Sequence, residues 1–179
     1  ARGKAELVES LPEGPKGIAI LNMDDPWVRW MIERTEADVF SYGVIEGADL
    51  TASHIQPLGL EGITCTLTYQ GKPHPVQSPL MGEFSAYTIL RATAAALSLG
   101  LDWDLIIEAL SQSSVDLRMR PSKLPNGVTL LDDTYNASPA STVAALKLLK
   151  DLKGRRITSL AVLFDVGHNA HVDFGIVDE

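Results

Sequence analysis

The sequence predicts an α/β fold built in two parts. Its first third alternates between helical and strand patterns, in the order helix, strand, helix, strand: residues 1–10, 17–22, 27–34 and 39–43. A strand followed by a helix recurs at residues 128–152, before a further apolar strand pattern at residues 157–164. Because helices that alternate with strands are typical of parallel sheets, we expect parallel pairing in both parts.

The middle of the chain has a different pattern. Residues 50–78 alternate between polar and apolar side chains around Gln70-Gly71-Lys72, which has glycine in a hairpin position, so we expect an antiparallel hairpin. Apolar residues at helical spacing then predict a helix over residues 84–99, ended by Gly100. Asp102 is a suitable N-cap for the next helix.

A polar segment at residues 111–114 marks the expected domain boundary, which we place at about Asp116. The predicted domains are therefore residues 1–115 and residues 116–179. In the second domain we expect a strand at residues 117–119, a turn at residues 125–127 and a buried strand at residues 128–131. A helix follows to about residue 152, with Ser138 as its N-cap and Pro139 in its first position.

Composition excludes several classes of protein. The formal net charge is −8 and the lysines and arginines are scattered, so the chain has no basic surface typical of nucleic-acid binding. It also contains no apolar stretch of the roughly 18 residues that a membrane span needs and no signal-like start, so we expect a cytoplasmic protein without membrane insertion. The single cysteine, Cys65, lies in an alternating run and is expected to be a buried strand residue. The chain starts without methionine and stops without a closing element, so both ends are expected to be cut.

Two aspartates follow the predicted strand at residues 128–131. Open α/β sheets bind ligands just outside the carboxyl ends of their strands, so Asp132 and Asp133 fit a role at a ribose or a metal ion. One of them could equally cap or orient the loop that follows, and spacing alone leaves both interpretations open.

Residues 131–139 read L-D-D-T-Y-N-A-S-P and resemble the start of the C-terminal domain of Mur ligases, which reads D-D-S-Y-N-A-N-P in the members that add D-alanyl-D-alanine. One strand earlier, residues 117–119 match the family element G-R-M except for its glycine. The resemblance implies that Arg118 and Asp133 contact the phosphate and ribose of a nucleotide.

The beginning of the chain resembles the same family. Residues 1–7 and 18–26 are similar to the family segments A-R-A-K-G-E-L and A-V-L-N-A-D-D-P. This places Lys4 on a lysine that many members carbamylate, which implies a catalytic role as a magnesium ligand or as a direct phosphate partner. Magnesium prefers oxygen ligands, and a carbamate supplies oxygen where an ammonium cannot. Asn22 is expected near the nucleotide, although a turn that ends the strand explains Asn22 and the next two aspartates nearly as well.

The sequence also departs from the family pattern. Residues 79–88 resemble the helix entry P-L-x-G-x-[HF]-N-x-x-N, but Ser85 and Thr88 replace its two asparagines, so these amides are not available to adenine. The phosphate-binding loop G-x-x-G-K-[ST] and the histidine-containing metal segment are absent from the chain. After residue 165 the expected G-D-M-x-E-L-G element is replaced.

The resemblance implies the second half of a P-loop ATPase-like central domain, followed by a partial Rossmann-like C-terminal domain. It implies an ATP-dependent ligase that uses Mg²⁺, joins D-alanyl-D-alanine to a UDP-muramoyl-tripeptide in peptidoglycan synthesis, and thereby serves cell shape and division. The complete enzyme is expected to be monomeric, and this chain alone to be inactive because it lacks the phosphate-binding loop.

Two alternatives remain open. Gly82-Glu83-Phe84 favours a diaminopimelate- or lysine-adding Mur ligase, whereas residues 135–139 read Y-N-A-S-P where those members have Y-A-H-T-P. The other alternative is a non-catalytic binding module that kept the scaffold and lost the phosphate-binding loop.

Overall fold

The structure, a computed structural model, describes residues 2–113, 120–133 and 138–159. The chain divides into two compact units, Ala1–Ser114 and Val115–Glu179, next to the polar segment in which the boundary was predicted. No helix in the described ranges is long and apolar enough to cross a membrane.

The first unit is a five-stranded sheet with helices. Its strands are β1 (Ile18–Asn22), β2 (Asp38–Gly43), β3 (Leu50–Pro57), β4 (Ile63–Tyr69) and β5 (Lys72–Ser78). Its α-helices are α1 (Arg2–Glu9), α2 (Pro26–Arg29), α3 (Ser85–Ser98) and α4 (Trp103–Ser111), and a 3₁₀ helix, Trp30–Arg34, continues α2. These bounds confirm the strand and helix pattern predicted for this part, and with it the α/β fold.

The sheet has a parallel half and an antiparallel half. Its strand order is β1-β2-β3-β4-β5. The first two pairs, β1–β2 and β2–β3, are parallel, whereas β3–β4 and β4–β5 are antiparallel. The predicted hairpin is confirmed: Tyr69 pairs with Lys72 across a two-residue turn, in which Gln70 and Gly71 have φ values of 50° and 75°. Positive φ at both central positions matches the twist of the flanking strands and explains the glycine.

Two hydrophobic clusters pack on opposite faces of the sheet. On β1, Ala19 and Leu21 belong to a cluster with α1 and the 3₁₀ helix, whereas Ile20 packs against the larger cluster under α3 and α4. Successive side chains of a strand point to opposite faces, so both faces of β1 are covered, as is typical of parallel sheets. The larger cluster includes Cys65, which is 4% exposed, as predicted.

A connection of only six residues, 44–49, joins the parallel neighbours β2 and β3. Parallel pairs normally need a crossover of a dozen or more residues. Here the pairing is confined to the end of β2, where Tyr42 lies opposite Leu50. Asp49 fixes the end of the connection through three hydrogen bonds with Ser41. Its Oδ2 accepts from the main-chain N–H of Ser41 at 2.8 Å and from the Ser41 hydroxyl at 2.6 Å. Its own N–H donates to Ser41 Oγ at 2.9 Å.

The described part of the second unit consists of a β-hairpin and a helix. The strands β6 (Arg120–Lys123) and β7 (Thr129–Asp132) pair antiparallel, and α5 (Pro139–Asp151) follows. As predicted, Ser138 caps α5: its Oγ accepts a hydrogen bond from Ser141 N at 3.2 Å, with Pro139 in the first turn.

Several details differ from the predictions. The segment 128–131, expected to be a buried strand, is half-exposed: Val128, just before β7, and Leu130, within it, are each 51% exposed, because a short two-stranded ribbon has too few neighbours to cover both faces. Residues 157–159 carry no strand, and residues 160–164 lie outside the described ranges, as does the predicted strand 117–119. Asp102 occupies the N-cap position of α4 but makes no side-chain capping hydrogen bond.

Candidate functional site

The carboxyl ends of the parallel strands β1 and β2 form the candidate site of the first unit. Asn22 ends β1 and Gly43 ends β2, and the two strands run side by side, so the residues that follow them share one edge of the sheet. Ligands of open α/β sheets bind at such an edge.

Asn22 and Asp25 form a turn at this edge. Asn22 Oδ1 accepts a hydrogen bond from Asp24 N at 3.0 Å. Asp25 Oδ1 caps α2 by accepting from Trp27 N at 2.8 Å and Val28 N at 3.3 Å. The turn interpretation thus accounts for these oxygens, and contact between Asn22 and a nucleotide stays a prediction.

Asp24 also lies at this edge, and the sequence left it open between a role near the nucleotide and a turn that ends the strand. Its Oδ2 accepts a hydrogen bond from Val44 N at 2.7 Å and its Oδ1 accepts one from Ile45 N at 3.2 Å, so it holds the first two residues after β2. The approach requires a glycine, because a Cβ on Gly43 would lie 2.9 Å from Asp24 Oδ1. The sequence signal available was an aspartate after one strand and a glycine at the end of the next, which by itself indicates only a turn.

Two tyrosines and an arginine interact electrostatically with one another near Asp24. Burial raises the pKa of Tyr87 on α3 to about 12, and the Asp24 carboxylate beside its hydroxyl adds to this increase. Burial also raises the pKa of Tyr42, although the positive charge of Arg91 offsets part of that increase. Both phenols therefore remain neutral at physiological pH.

The start of α3 contributes Ser85 and Thr88, the residues that replace the family's asparagines. Ser85 is buried, and its hydroxyl donates a hydrogen bond to Met81 O at 2.6 Å, so it closes the turn that leads into the helix. Thr88 is half-buried. Neither residue supplies an amide at this edge, in agreement with the sequence.

Lys4 lies on α1, whose buried residues are Ala5 and Val8. The Lys4 side chain is exposed and makes no ion pair within residues 2–113. Its proposed role at a phosphate or a metal ion stays a prediction.

Asp133 lies directly after β7 in the second unit. Its Oδ1 is buried and has no hydrogen-bond partner in the described part of the chain. A buried carboxylate oxygen without a donor is costly, and a hydroxyl donor such as that of a ribose, or a metal ion, would satisfy it. Asp133 therefore fits the predicted role, whereas Arg118 lies outside the described residues. The described ranges hold no cluster of three or more His, Cys, Asp or Glu residues that could by itself bind a metal ion.

The fold and this edge define an α/β domain of the kind that binds ligands at the ends of parallel strands. Residues 1–96 match the family model of the Mur ligase middle domain, and the chain belongs to the Mur ligase family. The family resemblance found in the sequence is thereby confirmed.

The relatives come from more than one branch of the family. The chain is 30% identical over 181 residues to the UDP-N-acetylmuramoyl-tripeptide–D-alanyl-D-alanine ligase of Escherichia coli (strain K12), an alignment that covers 98% of this chain and 39% of that protein. It is 32% identical over 163 residues to the UDP-N-acetylmuramoyl-L-alanyl-D-glutamate–2,6-diaminopimelate ligase of Geobacter sulfurreducens, covering 88% of this chain and 31% of that protein.

Among solved structures, MurF from Acinetobacter baumannii is similar, with a TM-score of 0.77 and 28% identity over 87% of this chain and 33% of that chain. The chain thus spans between three and four tenths of the length of these relatives.

Proposed function

We propose that this chain is part of an ATP-dependent ligase that adds D-alanyl-D-alanine to a UDP-muramoyl-tripeptide in peptidoglycan synthesis. The observation that carries the proposal is the alignment with the E. coli D-alanyl-D-alanine ligase, because it extends through both units and covers 98% of the chain. The D-D-T-Y-N-A-S-P string, with Ser138 capping the helix that follows, supports the same branch.

In the proposed reaction, a carboxylate of the UDP-muramoyl-peptide attacks the γ-phosphate of ATP, which gives an acyl phosphate and ADP. The amine of D-alanyl-D-alanine then attacks the acyl carbon through a tetrahedral intermediate, and phosphate leaves as the amide forms. Positioning and stabilisation of phosphoryl charge dominate this type of catalysis. Mg²⁺ would supply charge neutralisation at the phosphates.

Each predicted site residue takes a role in this scheme. Lys4 would hold the metal ion as a carbamate or contact a phosphate directly, and its exposure leaves it accessible for either role. Asp133 would accept from the ribose, which suits its Oδ1, an oxygen without a donor among the described residues, and Arg118 would contact a phosphate. Asn22 would face the nucleotide from the end of β1.

The same proposal assigns residues 1–115 to the central domain and residues 116–179 to the C-terminal domain. The chain contains no G-x-x-G-K-[ST] loop, and that loop supplies the N–H groups and lysine that hold a triphosphate. We therefore propose that the chain alone is inactive. We also propose that the complete enzyme is a cytoplasmic monomer, as the family resemblance implies.

A second candidate is the diaminopimelate-adding branch. The Geobacter relative, at 32% identity, and the Gly82-Glu83-Phe84 segment favour it. The Y-N-A-S-P segment at residues 135–139 favours the first candidate.

The test uses the longest reading frame that contains this chain. The purified protein is given Mg-ATP with either UDP-muramoyl-tripeptide and D-alanyl-D-alanine, or UDP-muramoyl-dipeptide and diaminopimelate, and ADP release and the peptide product are measured. We expect ADP and product with the first pair only. Product with the second pair alone would assign the chain to the other branch, and no product with either would favour a non-catalytic binding module.

A further inference from the structure

The six-residue connection between β2 and β3 is held by two carboxylates from different parts of the chain. Asp49 fastens its end to Ser41, and Asp24 fastens its beginning through the N–H groups of Val44 and Ile45. The pairing of β2 with β3 needs the first of these contacts, because Asp49 sets the return of the chain. The second contact lies beyond the last residue of β2, at the carboxyl edge of the parallel strands.

The Asp24 contact fixes an exposed surface. The side chains of Val44 and Ile45 are 40% and 41% exposed, although both backbone N–H groups are bound to Asp24. On its other side the carboxylate lies beside Tyr87 of α3, the helix that also carries Thr88. Asp24 therefore ties the end of β1 to the beginning of the connection.

We propose that Asp24 is a positioning residue for the nucleotide, which acts by holding Val44 and Ile45 in place at the carboxyl edge of β1 and β2. This inference rests on the proposed ATP-dependent function. The proposed role is indirect, because each oxygen of Asp24 already accepts a main-chain hydrogen bond. A preformed edge lowers the ordering cost of binding, so loss of Asp24 weakens the use of ATP more than it slows the chemical steps.

The substitutions are chosen to separate this role from general stability. Asp24→Asn removes the charge and one of the two acceptors. Gly43→Ala keeps the carboxylate but places a methyl group 2.9 Å from its Oδ1, so either the carboxylate or the end of β2 must shift, which disturbs the contact with Val44 and Ile45. The matched control is Asp49→Asn, which weakens the other end of the same connection.

The experiment measures steady-state kinetics for ATP and thermal unfolding in the complete ligase. For Asp24→Asn we expect KM for ATP to rise about tenfold, the factor that corresponds to one charge-assisted hydrogen bond, with kcat within about threefold of wild type. Gly43→Ala should raise KM in the same direction. Asp49→Asn should lower the Tm by at least as much as Asp24→Asn and leave KM within about twofold.

The outcomes distinguish this inference from the proposed function. A wild-type enzyme without ligase activity overturns the proposed function and the inference that rests on it. An active wild-type enzyme in which Asp24→Asn leaves KM unchanged, or in which Asp49→Asn raises KM equally, overturns the positioning role alone. Hydrogen exchange at the amides of Val44 and Ile45 gives a readout independent of activity, and it should accelerate in Asp24→Asn and Gly43→Ala but not in Asp49→Asn.

Discussion

The substitution Ser41→Ala tests whether the short parallel connection depends on its side-chain hydrogen bonds. Ser41 is 8% exposed, and its hydroxyl both donates to Asp49 Oδ2 at 2.6 Å and accepts from Asp49 N at 2.9 Å. Alanine removes both contacts and leaves only the bond from the Ser41 N–H to the carboxylate.

The magnitude follows from these two bonds. A hydrogen bond to a charged group contributes about 1.5–3 kcal/mol and a neutral one about 0.5–1.5 kcal/mol, which together give about 2–4.5 kcal/mol. The Asp49 side chain is exposed, so water competes for its carboxylate. We therefore expect the free energy of unfolding to fall by about 2 kcal/mol, at the lower end of that range.

Urea unfolding of the chain, followed by circular dichroism at neutral pH, measures this change. The control is Ser53→Ala on β3, because the exposed hydroxyl of Ser53 makes one hydrogen bond within the described residues, to His54 Nδ1 at 3.1 Å, and its loss should cost less than about 0.5 kcal/mol. The dependence on urea should be the same for both variants. If Ser41→Ala and Ser53→Ala unfold at the same urea concentration, the hydrogen bonds between Ser41 and Asp49 do not stabilise the connection.

Four further predictions address the chemistry. Lys4→Ala in the complete enzyme should abolish ligation, with partial rescue by short-chain carboxylic acids if the lysine is carbamylated, and a fully active variant would exclude both of its proposed roles. Arg118→Ala or Asp133→Ala should slow turnover by tens-fold or more with little change in Tm, and wild-type kinetics in both would contradict the nucleotide assignment. Calorimetric titration of the chain alone with Mg-ATP should show no micromolar binding, because the phosphate-binding loop is absent, and a clear isotherm would show that the nucleotide site is misplaced. The last prediction concerns pH. Tyr87 has a pKa of about 12 in the folded protein against 10.0 for the free side chain, so as pH rises the Tyr87 hydroxyl loses its proton in the unfolded chain before it does so in the folded protein. The Tm advantage of wild type over Tyr87→Phe should therefore be constant below pH 10 and shrink as pH rises towards 12, and a constant difference through that window would exclude the shifted tyrosine.

Hydrophobic periodicity and turn residues predicted most of the fold of the first unit. The run of apolar residues in β1 indicated an interior parallel strand, and both faces of that strand are covered. The Gln70-Gly71 pair likewise fixed the hairpin, because few residues tolerate positive φ at both central positions. Ser138 and Pro139 marked the beginning of α5 for a similarly local reason.

The contacts of Asp24 could not be read from the sequence, because they join it to main-chain groups about twenty residues away. Main-chain N–H groups carry no residue signature, so no side-chain pattern indicates which of them a carboxylate will meet. The prediction that residues 128–131 are buried was wrong for a related reason. An apolar run does not reveal how many strands will flank it. Family resemblance, by contrast, singled out Asp133 from its neighbour, and its nucleotide role stays a prediction.

The length of the 44–49 connection also governs which changes this chain can tolerate. Asp24 and Asp49 bind its two ends, so an inserted or deleted residue would break one of these contacts or shift β3 by one position against β2. A shift by one turns every side chain of β3 to the opposite face, which would expose Leu50 and bury Thr51. At the tip of the β4–β5 hairpin, by contrast, extra residues would extend into solvent without altering any pairing. Natural length variation should therefore accumulate at Gln70-Gly71 and be rare between Val44 and Asp49, and engineered tags or domain insertions belong at the hairpin.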